Sequence, residues 1–537
     1  MEKTPATQGV LKGFTLIEPR KYGGRDRRNL IAAFGSLCIV MLMVALDATS
    51  LAVALPVITK ALNGSAVEGF WSGTSFLLAS TVFQPILGSF SNVFGRKPLI
   101  NVSLTLFLMG SVVIAVATNF TVVLVGRTIQ GAGGGGILCL TALIIVDKIP
   151  LKERGKWFSS IGAMWSIGTV TGPLLGGGLA KEALWRWIFW INIPFICIGG
   201  ISIAIFLKFD KTNVALVAKM EELDWVGMSL FLASITGFLI PITRGGVECP
   251  WNSWRTLVPL FLCIAGLMVF ALHQEYVAKN PFIPIGLFKN RSAAIIYVQT
   301  VIYGIILSMG MFYLPLYFEA AKDMSPVMAG VSLFPWTFTL APAAMVVGIA
   351  VSKTGAYRWA IWLGWCLVTF SMSLLVLLKS DTPTAAWVSI SLVGGIGLGA
   401  LYPAMILGVQ ASSTVENQAP ATNMFTFSRA LGQTLGVAVG GVMFQNMIEK
   451  RMLSKPLLAM KAKEYSKDAI GLVQIIKAMP MNNAKEQLIE SFTYALSYIW
   501  VVAAVIAGIA LLASIFIEAY QLNNPLAVDE TAKDDKN

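Results

Sequence analysis

Charge is scarce in this 537-residue chain, and histidine is scarcer still. Only 13% of the residues are Asp, Glu, Lys or Arg, against roughly 25% in ordinary soluble domains. Hydrophobic residues make up 56%. That balance excludes a string of soluble domains and points to a polytopic membrane protein. His273 is the single histidine. It lies near the end of an apolar run, so chemistry built on paired histidines is excluded and a structural role is expected. The six cysteines, Cys38, Cys139, Cys197, Cys249, Cys263 and Cys366, are scattered and mostly apolar in context. They lack metal-ligand spacing and read as small packing residues. No metal or cofactor is expected. The glycine-rich run Gly131 to Gly136 has neither a preceding strand nor a Walker lysine, which disfavours ATP-driven pumping. The net charge of +12 falls mostly in short connections between apolar blocks, so it does not describe a nucleic-acid surface.

What remains is a succession of apolar windows, each long enough to cross about 30 Å of hydrocarbon. They are expected at 30–54, 70–90, 99–117, 121–145, 157–180, 186–207, 225–244, 255–273, 294–317, 329–350, 358–378, 384–408, 422–447 and 494–517. Fourteen spans put both termini on one side, and the fifth and thirteenth are diluted by glycine. The first run is too long for a signal-peptide core and is expected to be retained. Lys and Arg concentrate in the connections on the amino-terminal side, which makes that side cytoplasmic. The mixed-charge stretch 448–493 then lies outside the membrane or in an organelle lumen, with room for a short surface helix. A sequon, Asn63-Gly-Ser65, falls in the first external loop as a candidate glycosylation site.

Internal repetition is visible. Gly88-Ser-Phe-Ser-Asn92-Val-Phe-Gly95-Arg96-Lys97 and Gly348-Ile-Ala-Val-Ser352-Lys-Thr-Gly355-Ala-Tyr-Arg358 place glycine, a small polar residue, glycine and a base at matching offsets, eight spans apart. Span 5 carries Gly168, Gly172 and Gly176; span 13 carries Gly432, Gly436 and Gly440. Four-residue spacing puts glycines on one helix face, where a neighbouring backbone can approach. The chain therefore divides into a tail (1–29), a six-helix bundle (30–207), a two-helix insert with linkers (208–293), a second six-helix bundle (294–517) and a tail (518–537). A substrate cavity is expected between the bundles.

Charges in hydrocarbon are costly and are usually paired or functional. Asp47 in span 1 and Arg127 in span 4 sit at similar depth and can pair, with a coupling or gating role or a purely structural one. Arg429 in span 13 is expected near the cytoplasmic end, where a structural role, snorkelling and binding of an anionic lipid or substrate group are the alternatives. Asp147 and Glu319 fall at span borders. Gln84, Gln130, Asn192, Gln299 and Gln433 are hydrogen-bonding groups inside spans, and Trp165, Tyr303, Tyr313, Phe334 and Trp336 are aromatic candidates for a cavity wall. Gly95, Arg96 and Lys97 form a tight turn whose bases can meet carboxylates or helix carbonyl ends.

Taken together these motifs resemble the major facilitator superfamily, and within it the fourteen-span drug:proton antiporter branch of fungi and bacteria. Leu46 to Pro56 (LDATSLAVALP) resembles that branch's first-helix motif, and Gly88 to Lys97 the superfamily's loop motif, with Asn92 where an aspartate is usual. Arg127 to Gly135 (RTIQGAGGG) is similar to the fourth-helix motif. Gly168, Gly172, Pro173, Gly176 and Gly177 resemble the antiporter motif of the fifth helix. Trp185 to Phe195 and Leu223 to Gly227 are similar to further signatures of the branch. The resemblance implies an all-α major facilitator fold of two six-helix bundles plus two inserted helices. It also implies proton-gradient-driven export of a small organic compound, with Asp47, Arg127 and the Asn92–Lys97 turn in coupling or gating. Gln130, Trp165, Gln299, Tyr303, Trp336 and Arg429 are candidate cavity residues. A monomer in the plasma membrane is expected, with the vacuolar membrane as the other location. A vacuolar basic amino acid transporter and a siderophore or nutrient importer are the rival readings.

Overall fold

The computed structural model describes residues 24–64, 66–180, 184–207, 220–245, 251–466, 469–520 and 522. The ends of the expected tails, the whole of 208–219, Cys249 and Ser65 of the sequon lie outside them. Regular structure among these residues is almost entirely helical. The long helices are α1 (Gly24–Ala61), α2 (Ala66–Phe94), α3 (Arg96–Ala115), α4 (Phe120–Lys148), α5 (Leu151–Leu179) and α6 (Trp187–Phe206). Then come α7 (Trp225–Arg244), α8 (Trp254–Tyr276), α9 (Arg291–Ala321) and α10 (Pro326–Thr354). The last are α11 (Arg358–Leu375), α12 (Thr384–Ala411), α13 (Gln418–Leu453) and α14 (Asn483–Ser514). Twelve of these are long and apolar enough to cross a membrane. The other two, α5 and α13, run 29 and 36 residues, but glycines and hydroxyl side chains dilute their apolar character.

The packing repeats with a fixed offset. Within α1–α6, α1 packs on α5 and α6, and α4 packs on α2 and α3; within α9–α14, α9 packs on α13 and α14, and α12 on α10 and α11. Each pair in the first set has a counterpart eight elements later. Glycine explains why. In α4, Gly131 and Gly135 lie on the backbone of α2 at Phe76 and Ser80, while Gly133 and Gly136 face Phe107 and Ser103 of α3. In α12, Gly395 and Gly399 lie on Trp336 and Leu340 of α10, while Gly397 faces Val368 and Gly364 of α11. The run Gly131–Gly136 is thus a packing surface on two faces of a central helix, not a phosphate loop.

The fifth and thirteenth helices repeat the same device. Gly168, Gly172 and Gly176 rest on α1 at Ala45, Thr49 and Ser50, and Ser50 Oγ donates to Gly172 O at 2.9 Å. Gly432, Gly436 and Gly440 rest on α9 at Val301, Ile305 and Tyr313. A side chain at Gly172 would overlap Thr49, whereas nothing lies within 4 Å of a Cβ at Gly178. Gly172→Val is therefore expected to lower stability by about 1–3 kcal/mol or to prevent assembly, and Gly178→Val to be tolerated. Thermal unfolding of the two purified variants checks this; equal behaviour would contradict the packing. Pro173 meets Gly330 of α10, and Gly177 meets Val327 of α10 while also lying near Val53 of α1.

The helices α7 and α8 pack on each other, and α7 also lies against α2 and α13. Phe231 of α7 joins Phe270 of α8 (ring centres 5.4 Å apart) and Phe427 of α13 (5.5 Å). Asp224 fastens the base of this pair. It caps α7 through Gly227 N (2.8 Å) and accepts from Gln274 Nε2 (2.5 Å), with His273 Nε2 at 3.1 Å. Partial burial pushes its pKa up, but the Gly227 N–H and the His273 and Gln274 contacts outweigh it, so the pKa stays below the ordinary value of 3.8. A depressed carboxylate contributes stability above its unfolded value and loses it as pH falls through the folded one. Asp224→Asn should accordingly lower the melting temperature at pH 7, with the difference shrinking below about pH 4; a pH-independent difference would reject the charge as the cause. The lone histidine thus has the structural role expected of it.

The stretch 448–493 is shorter as a loop than the apolar windows indicated, because α13 continues to Leu453 and α14 starts at Asn483. Polar residues extend both helices beyond the apolar windows. Between them a helix, Ala469–Ala478, buries Leu472, Val473 and Ile476. Its Lys477 reaches Glu319 Oε2 (3.3 Å) and Met324 O (2.7 Å), so it folds onto α9. Asn63 is exposed in the turn after α1, with φ of 50°.

Candidate functional site

The most deeply buried charges form one cluster. Arg127 Nη1 donates to Asp47 Oδ2 at 2.7 Å, and both side chains are almost wholly excluded from solvent. Asp47 Oδ1 also accepts from Gln130 Nε2 (2.9 Å) and Asn192 Nδ2 (2.8 Å). Gln130 closes the ring by accepting from Arg127 Nη1 at 2.6 Å, and both amides reach Ser111 Oγ. Arg127 Nε donates to Ser72 O of α2 (3.1 Å), with its guanidinium 4.3 Å from the Phe76 ring centre. Asp47 therefore gathers α1, α4 and α6, while its partner Arg127 ties in α2.

At the end of the molecule where α2 passes into α3 and α4 into α5, Gly95 takes φ of 93°, a backbone that disfavours any side chain. The turn aims Arg96 at Asp147 Oδ2 (2.7 Å), Ser91 Oγ (2.5 Å) and Asn92 Oδ1 (2.6 Å). Lys97 Nζ donates to Ala204 O at the end of α6 (2.6 Å). The turn thus grips a carboxylate and a helix carbonyl end; Asn92, in place of a charged residue, accepts from Arg96. Gly355, its counterpart, also has positive φ, 72°.

The two helix sets meet at the same end through residues that the sequence did not single out. Arg154 Nη1 of α5 donates to Gln410 Oε1 of α12 (3.0 Å) and Gln418 Oε1 of α13 (2.8 Å). Its Nε and Nη2 hold Ile149 O (2.7 Å) and Val146 O (2.9 Å). Close by, Ser159 Oγ donates to Ala344 O (2.7 Å), and Asn423 Nδ2 to Pro85 O (3.3 Å). A crevice lined by Pro85, Gly88, Asn92, Phe282 and Asn423 lies beside these contacts. Arg154 was hidden by its place in a basic connection, where topology alone accounts for a base.

Between the sets lies a cavity lined by Met41 of α1, Ile161, Trp165 and Thr169 of α5, Tyr303 and Leu307 of α9, Thr337 and Leu340 of α10, Tyr402 of α12 and Arg429 of α13. Trp165, Tyr303 and Arg429 thus share one wall. The other three cavity candidates are elsewhere. Gln130 is consumed by the Asp47 cluster. Gln299 Nε2 donates to Ala510 O of α14 (2.8 Å). Trp336 is fully buried against Gly310 and Gly394, packing space that those glycines leave. Arg429 does not snorkel either: Gly304 lets α9 press on its backbone, and its side chain turns into the cavity, 9% exposed.

Comparison with known proteins agrees with this arrangement. Residues 37–437 match the family described as the Major Facilitator Superfamily. The chain is 59% identical to MFS transporter L2 of a Phoma species over 92% of this chain and 83% of that one. It is 32% identical to the Acurin A biosynthesis cluster MFS-type transporter of Aspergillus aculeatus (92% and 90%). With the efflux pump FUS6 of Gibberella fujikuroi it shares 31% identity over 99% and 96%. The structure of the human organic anion transporter MFSD10 (TETRAN) superposes with a TM-score of 0.53 over 87% of this chain and all of that one. At 15% identity that likeness concerns the fold alone. With three quarters of its length inside the family match and a multi-pass helical structure, the chain belongs to the Major Facilitator Superfamily, whose members carry solutes across membranes rather than transform them.

Proposed function

We propose that this protein is a proton-coupled exporter of a small organic compound, working by alternating access between two six-helix bundles. In this reading α5 and α13 also cross the membrane, giving fourteen spans. The twelve apolar helices bracket them, and both are held along their length by α1 and α9. The bundles are α1–α6 and α9–α14, with α7 and α8 inserted between them, as the eight-element repeat in packing supports. The end bearing Gly95 and Arg154 is cytoplasmic, because the basic connections lie there.

The observation that carries the reading is the cavity at the junction of the repeated helix sets, closed at one end by Arg154 and its neighbours. Rocking one set against the other would open it alternately. Asp47 is the proton carrier in this scheme. Protonation removes the charge that holds Arg127, and with it a joint linking α1, α2, α4 and α6. Relatives named as efflux pumps or as members of biosynthesis clusters support an exported secondary metabolite and a plasma-membrane location. Among the described residues the cavity's one charged lining residue is an arginine, which opposes a dibasic amino acid as cargo.

Metabolite profiling of medium and cell extract, from the native organism with and without the gene, tests the reading. One compound family should vanish from the medium and accumulate inside the cells. Unchanged profiles, or a fall in vacuolar lysine and arginine alone, would sink the exporter reading.

A further inference from the structure

The central cavity contains a cation with no partner. Arg429 is nine-tenths buried, yet among the described residues it makes no hydrogen bond or ion pair, and its Nε has no acceptor. In the cavity its guanidinium faces rings instead: its central carbon lies 5.6 Å from the Tyr402 ring centre and 6.0 Å from that of Trp165. The Nε1–H of Trp165 is likewise buried without an acceptor. Among the described residues no carboxylate lines the cavity. The other buried arginines among the described residues all have acceptors: Arg96 has Asp147, Arg127 has Asp47, and Arg154 has two glutamines and two carbonyls.

A buried guanidinium left without an acceptor is unfavourable unless something supplies one. We infer that the cargo supplies it: the transported solute is an amphipathic organic anion whose carboxylate or similar acidic group pairs with Arg429. Its aromatic or apolar body lies among Trp165, Tyr303, Tyr402 and Leu307. Guanidinium suits this task because its planar fork can hold both oxygens of a carboxylate while its faces rest on rings. The rings already in place pre-organise the fork, so a cationic solute of the same shape would leave its donors unmatched, and a neutral one would match them more weakly through a single uncharged oxygen. This assignment rests on the exporter reading only in calling the bound anion cargo.

The test uses three naphthalene probes of one shape, 1-naphthoate, 1-naphthamide and 1-naphthylmethylamine. Binding to the purified full-length protein is followed by calorimetry, and uptake into proteoliposomes is driven by an imposed pH gradient. The acid should bind about 10- to 100-fold more tightly than the amide, as expected for a charge-assisted pair replacing a neutral one, and the amine least well. Arg429→Gln should erase that preference while leaving amide binding in place; Arg429→Lys should keep part of it. Amide binding serves as the check that the Gln variant is folded. Equal binding of acid and amide, acid binding indifferent to Arg429→Gln, or no binding of any probe would overturn the inference. Acid that binds through Arg429 but is not moved by the gradient would uphold the anion site and overturn proton-driven transport instead.

Discussion

Asp47→Asn is expected to abolish gradient-driven transport and to cost the fold about 3–5 kcal/mol, the usual penalty for stranding one member of a buried ion pair. Arg127 would keep its full charge next to Phe76 with only neutral acceptors, Ser72 O, Gln130 Oε1 and the one amide oxygen of the replacement side chain. Loss of folding and loss of coupling are separable. In Asp47→Asn/Arg127→Gln both charges are gone, so the stranded cation disappears and most of the stability should return. Proton-driven accumulation should stay absent, since the carboxylate assigned as proton carrier is gone, while exchange of labelled for unlabelled substrate without a gradient should persist. Thermal unfolding and paired uphill and exchange assays in proteoliposomes supply the readouts. Uphill transport by the double variant would remove Asp47 from the coupling scheme and leave it a structural joint.

The chain made its helices legible because the bilayer sets their length, and it made their repetition legible because glycine marks where backbones touch. The four-residue glycine ladders in α5 and α13 pointed, through one rule of spacing, to a backbone in close contact, though not to which one; the structure puts α1 and α9 there. Depth along a helix was legible too, which brought Asp47 and Arg127 together. Azimuth was not. Gln299 and Trp336 were candidates for the cavity because each is polar or aromatic within a span, yet a rotation about the helix axis sends one to Ala510 O and the other into the groove between Gly310 and Gly394. Asn192 completes the Asp47 cluster from α6, and no periodicity in one helix reports where another will present an amide. Arg154 illustrates a different limit. A base beside Lys152 and Lys156 in a connection has a sufficient explanation in topology, and only its burial against two glutamines of the other helix set reveals more.

Those two glutamines give the second large effect. Gln410→Leu/Gln418→Leu removes both acceptors that tie Arg154 across the junction but leaves its bonds to Val146 O and Ile149 O, so α4 and α5 keep their own joint. Hydrogen bonds to a charged group contribute about 1.5–3 kcal/mol each. Losing two therefore shifts the balance between the closed and opened forms of this end by roughly 100-fold or more. Spin labels at Lys152→Cys and Glu416→Cys, both exposed and on opposite sides of the junction, report that separation in a cysteine-free background. The parent should give one short distance and the double variant a dominant longer one. Transport should fall as well, because a cavity that no longer closes at this end cannot build a gradient of its cargo. An unchanged distance distribution would mean that Ser159, Asn423 and the close approach of Gly155 in α5 to Gly348 in α10 hold this end shut without Arg154. The closure would then be a packing property of the helices rather than a switchable polar latch.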